Sequence, residues 1–145
     1  MRRPIVLWFV VVFCVLAAFA NLLTGVGAIG LVGQRSLAAV GGHIVISLVV
    51  VGASLWVALS LLKGAFHSRL PVSLYLWFML VIYPLCNVLR AFGLYLPAPY
   101  ISDEQVAGAA AFELLRYLVI LALIIWVAFS KALRSHLTVQ AASVG

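Results

Sequence analysis

The chain has 145 residues, 67% of them apolar, with only nine Lys plus Arg and three Asp plus Glu for a formal charge of +6. Globular domains devote about a quarter of their residues to charge, so this composition excludes a soluble domain, and four spans of ~20 apolar residues leave no room for a soluble catalytic one. Nucleic acid is excluded as a partner too, because its binders gather Lys and Arg on one face, whereas these stand singly or in pairs between apolar runs.

The first apolar run, residues 4–23, follows Arg2 and Arg3 and carries no charge, the pattern of a first transmembrane helix entering from a basic cytoplasmic end. Ala18-Phe19-Ala20 keeps a signal peptide open as the competing reading, since small residues so spaced resemble a cleavage site. The length of the run and the three spans after it favour a retained helix. Residues 24–36 hold Gly25, Gly27, Gly30 and Gly33, and glycine this dense predicts a loop. No strand precedes it and no Lys-Ser/Thr follows, so it is not a phosphate cradle.

A second span covers 37–62 and is followed by Lys63, His67 and Arg69. Pro71 suits the first turn of a third helix, reaching 94, because the N–H it lacks is unpaired there in any case. Pro97 and Pro99 then interrupt the chain, Ser102 or Asp103 offers an N-cap, and the fourth span covers 106–129. Residues 130–136 form a basic stub, and Val139 to Gly145 is expected to fray. The sequence therefore predicts an all-α polytopic membrane protein, an antiparallel bundle of four transmembrane helices in a single integral domain.

Orientation follows from the short loops: Arg2, Arg3, Lys63, Arg69, Lys131 and Arg134 fall on one side and Arg35 alone on the other, which places both termini in the cytoplasm. Asp103 and Glu104 lie on the far side. Trp8, Trp56, Trp77, Trp126, Tyr75, Tyr95 and Tyr100 lie mostly near span ends, as an interfacial aromatic belt expects.

A charge at bilayer depth costs ~2.5 to 3.5 kcal/mol on insertion scales, so the search for a site starts from Arg90, Glu113 and Arg116. At 1.5 Å per residue, Arg90 and Glu113 stand ~6 and ~10 Å below the outer ends of their spans, depths compatible with contact between the third and fourth helices. Glu113 and Arg116 share a face. Tyr83, Asn87 and Arg90 form a polar stripe, Asn21 and His43 lie near the outer ends of the first two spans, and Pro84 predicts a kink. All four helices thus bring polar groups to the outer half. Three readings stand: a clamp that fixes helix register, a substrate or proton site built on Glu113, Arg90 and His43, and snorkelling at the interface.

Other chemistries lack their residues. Haem needs two facing axial ligands, and His43 is alone within a span, since His67 and His136 sit in basic segments. Cys14 and Cys86 lie in apolar runs as packing residues, without CxxC. No Gly-x-Ser-x-Gly elbow and no second intramembrane acid facing Glu113 support proteolysis. The expectation is therefore no enzyme, no cofactor and no metal. Ala38/Gly42, Ser54/Ala58 and Ala107/Ala111 allow close helix approach within the bundle or in a dimer.

Trp126, Phe129, Ser130 and Lys131 within the segment Ile125-Trp126-Val127-Ala128-Phe129-Ser130-Lys131-Ala132-Leu133-Arg134, followed by Thr138 in Leu137-Thr138-Val139, resemble the closing segment of a family of small bacterial inner-membrane proteins of unknown function. The resemblance implies a similar four-span architecture and brings no activity. The leading expectation is a structural or accessory component of a bacterial inner membrane, multi-pass, whose partners are the lipid bilayer and a second copy or other membrane proteins. The alternative is a small dimeric transporter or channel using Glu113 and Arg90.

Overall fold

A computed structural model describes residues 4–66, 68–96 and 103–144. Its helices are α1 Ile5–Ile29, α2 Leu37–Lys63, α3 Leu70–Ala91, α4 Asp103–Phe129 and α5 Lys131–Val144. The first four are each long and apolar enough to cross a membrane. The fold is an all-α bundle of four such helices, and the chain is a multi-pass membrane protein. One end, here called proximal, gathers the start of α1, the end of α2, the start of α3 and the end of α4; the opposite end is distal.

Helix limits follow local chemistry. The Ser36 hydroxyl accepts from the Ala39 N–H (3.3 Å) and caps α2. At its other end Gly64 takes φ +70°, with Gly64 N–H to Leu61 O and Ala65 N–H to Ser60 O, a Schellman ending. α3 ends the same way: Gly93 has φ +70°, and the Gly93 and Leu94 N–H groups reach Arg90 O and Leu89 O. At the proximal end Arg69 donates to the carbonyls of Val127 (3.1 Å) and Ala128, closing the C-terminus of α4 where a cation is favoured.

Several expected limits are corrected. α1 continues through Gly25 and Gly27 to Ile29 instead of ending near residue 23. Glycine is penalised in helices because unfolded backbone in water is free and solvated; at membrane depth, unpaired backbone has no water to turn to. Gly25 also sits where a Cβ would stand 3.1 Å from Ser47 Cβ, so α1 and α2 approach closely there. α3 stops at Ala91, short of 94, and α4 is helical from Asp103. The proposed Ser102 cap lies outside the described residues. Pro84 lies within α3, where a kink is expected, not a helix end. The tail expected to fray is helical in α5, whose Leu133 and Leu137 are buried in the main core.

That core draws Leu7, Val10 and Cys14 from α1, Val50, Val57 and Leu61 from α2, Leu76 and Met79 from α3, and Ile120, Leu123 and Val127 from α4. Phe9 of α1 meets Trp126 of α4 with ring centroids 5.3 Å apart. Tyr75 is a core residue and not part of an aromatic belt: it is 5% exposed, and its hydroxyl lies 2.7 Å from Ser54 Oγ, which satisfies the phenol between α2 and α3. Tyr95 is likewise interior; Trp8, Trp56, Trp77 and Trp126 are exposed. Tyr100 lies outside the described residues. A smaller cluster of Ala28, Ala39, Val40 and Leu96 closes the distal end.

Candidate functional site

The distal end is built around the segment that follows α3. Gly93 reverses the chain, and Leu94 to Leu96 fold back over the tips of α1 and α2. The Leu94 carbonyl oxygen presses on Gly42, where any Cβ would overlap it. Tyr95 stacks on His43 with ring centroids 4.4 Å apart and planes tilted by 33°. Leu96 is buried against Ala28, Ala39 and Val40.

Arg90 ties this segment down. Its Nε donates to Leu96 O (3.0 Å), its Nη1 donates to Asn87 Oδ1 (2.6 Å), and its guanidinium carbon lies 5.1 Å from the Tyr95 ring centroid. Asn87, Arg90 and His43 therefore belong to one network joined through Tyr95, a latch across the distal end. Hydrogen bonds from a charged donor are worth ~1.5–3 kcal/mol each, and a cation over a ring adds ~0.5–1.

The other three expected site residues lie apart from it. Asn21 Nδ2 donates to Ala17 O (2.8 Å) of its own helix. Glu113 and Arg116 stand on α4 with Oε1 and Nη2 3.9 Å apart, and the Arg116 guanidinium carbon lies 5.6 Å from the Tyr117 ring centroid. The cross-helix contact of Arg90 with Glu113 does not form. Arg90 is one residue from the end of α3, whereas Glu113 is ten residues, or ~15 Å, from the start of α4. The side chain of Tyr83 lies outside the described residues.

α4 holds the second notable geometry. Ala109, Glu113, Arg116, Ile120, Leu123 and Val127 recur at spacings of four and three and form one helical stripe. In the proximal half the stripe is closed: Ile120, Leu123 and Val127 are 0%, 5% and 0% exposed. In the distal half it opens, with side-chain exposures of 18% at Arg116 and 37% at Glu113. No described side chain between Gln105 and Val119 is buried. Only 17% of the α4 span is buried, against 33–35% for the other three, so α4 is the least covered of the four spans.

Sequence reasoning missed Tyr95, Leu96, Gly42, Ser54, Tyr75 and Arg69 as organising residues. The pair Gly93-Leu94 after α3 was the available signal, since a glycine followed by an apolar residue marks a Schellman reversal. Among the described residues no three of His, Cys, Asp and Glu come together. Cys14 and Cys86 are free and buried. No family model matches the chain, and no curated protein or solved structure is significantly similar to it.

Proposed function

We propose that the chain is a non-enzymatic, multi-pass protein of a bacterial inner membrane, with both termini cytoplasmic, that serves as a structural or accessory partner of other membrane proteins or of a second copy of itself. The observation that carries this reading is the α4 stripe. In its proximal half it packs on the chain's own core, and in its distal half the Glu113 side chain is left 37% exposed while Nε and Nη2 of Arg116 are covered. A partly exposed carboxylate at this depth is costly, so a covering helix stabilises it, and the small residues 107–111 permit its close approach. The latch residues Arg90, Asn87 and His43 are engaged in holding the fold, which supports a structural role for them. The Lys and Arg asymmetry supports the orientation, and the likeness of residues 125–138 to small bacterial inner-membrane proteins supports the membrane.

A photo-crosslinking phenylalanine analogue placed at Phe112, 66% exposed beside the stripe, is expected to give a discrete adduct in native membranes, and the same analogue at Leu48, 60% exposed on α2, is not. Equal yields, or none at Phe112, reject the reading. For the orientation, a cysteine at Gly30 should react with an impermeant thiol reagent from the periplasm and one at Ser68 should not. The reverse pattern overturns it.

The 37% exposure of the Glu113 side chain favours one second reading, a small dimeric transporter or channel in which this carboxylate carries a proton or cation. Flux into proteoliposomes by the wild type and by Glu113→Gln decides it. Unchanged flux in the variant, or none in either protein, removes it.

A further inference from the structure

The latch closes on a seat with one group that titrates. Of the residues that receive Leu94, Tyr95 and Leu96, the side chains of Ala28, Ala39 and Val40 are apolar and Gly42 has none, which leaves His43. Its ring lies under Tyr95, itself 9% exposed, and the same Tyr95 ring carries the Arg90 guanidinium. A proton added to His43 therefore arrives beside a fixed positive charge.

The imidazole is also poorly placed to hold that proton. Its Nδ1 is buried and, among the described residues, has no hydrogen-bond partner. A neutral ring leaves one weak acceptor unpaired there; an imidazolium is a donor at both nitrogens and would leave an ionic N–H unpaired, the costlier of the two. The groups around the ring do not relieve this. α3 brings Arg90, whose charge acts on His43, and Cys86, which meets Tyr95; α1 brings the Thr24 backbone; α2 adds no second titratable group within a turn. No carboxylate stands among these described neighbours. Tyr and Cys ordinarily titrate at ~10 and ~8.5 and Arg keeps its charge, so His43 is the member of the latch whose charge changes near neutrality. An imidazolium would gain some attraction from the Tyr95 ring, but that ring already serves Arg90, and two cations on one ring repel.

We propose that the latch is proton-operated: uptake of a proton by His43 releases residues 94–96 from the tips of α1 and α2, and loss of the proton closes them again. In the closed form the seat holds a neutral imidazole. In the open form water reaches both ring nitrogens and hydrates the cation. Opening thus takes up one proton, so acidification favours it by mass action. On the orientation proposed above, the latch answers to the periplasm; the device itself does not depend on that orientation or on the partner of α4.

Native-state amide hydrogen exchange of the full chain in mixed micelles tests this, read at the Leu94 N–H that closes on Leu89 O and corrected for the pH dependence of chemical exchange. Protection at Leu94 should fall as the pH drops from ~7.5 to ~5, approaching about tenfold per pH unit below ~6.5, the slope of one proton per opening. The Val50 N–H in the middle of α2 should keep its protection. His43→Phe preserves an aromatic stack and cannot take a proton, so its Leu94 protection should be independent of pH; His43→Gln should behave alike and serves if the larger ring does not fold. Glu113→Gln, and Asp103→Asn with Glu104→Gln, should respond as the wild type does. Protection in the wild type that ignores pH, an equal fall in a folded His43 variant, or loss of the response in either carboxylate variant overturns the proposal.

Discussion

Two adjacent glycines on α2 should respond very differently to the same substitution. A Cβ at Gly42 would overlap the Leu94 carbonyl oxygen and stand 3.3 Å from its carbon, whereas nothing lies within 4 Å of a Cβ at Gly41. The obstacle is backbone held by the Leu94 N–H to Leu89 O bond (2.9 Å), so it does not swing aside as a side chain does. Relief requires lifting the latch, which breaks the Arg90 to Leu96 bond (~1.5–3 kcal/mol) and the Tyr95–His43 stack (~0.5–1.5 kcal/mol). Within a membrane span alanine returns little helix propensity, so Gly42→Ala should be destabilised by ~2 to 4 kcal/mol. Gly41→Ala should be close to neutral. Reversible unfolding in mixed micelles, followed by helical circular dichroism, measures both. A Gly42→Ala protein as stable as Gly41→Ala refutes the latch geometry.

The same assay carries three further predictions. Ser54→Ala should cost ~1 kcal/mol by breaking the buried bond to Tyr75, while Ser47→Ala, which removes a buried hydroxyl without a hydrogen bond, should be neutral or stabilising. Arg90→Met should cost ~2–3 kcal/mol and more than Glu113→Gln, and the reversed pair Arg90→Glu with Glu113→Arg should show no rescue; recovery in the double variant would restore the cross-helix contact. Arg69→Gln should cost ~1 kcal/mol through loss of the charge at the C-terminus of α4, with amide exchange at residues 127–129 accelerating more than at the middle of α4.

The spans were legible because lipid demands long apolar runs, and α2 covers Leu37–Lys63 where the apolar run gave 37–62. The end of α1 was not, because the cost of Gly25 and Gly27 was taken from helices in water. Arg90, Asn87 and His43 were recognisable as polar residues of one depth. What joins them was hidden, because Tyr95 reaches His43 only through the reversal at Gly93, and its distance from a span end gives no hint of direction. The failed pairing of Arg90 with Glu113 has a related cause. Depth estimates depended on where α3 stops and α4 starts, and errors at both ends accumulated along the helix axis.

The latch also has an order in time. Ala28, Ala39, Val40, Gly42 and His43, which receive Leu94, Tyr95 and Leu96, all lie in the first hairpin of the chain. Synthesis from the N-terminus completes that seat some fifty residues before the segment that fills it emerges. The first hairpin, closed upon itself where Gly25 meets Ser47, is thus a template awaiting the exit of α3, and Arg90 arrives just ahead of the segment it will hold.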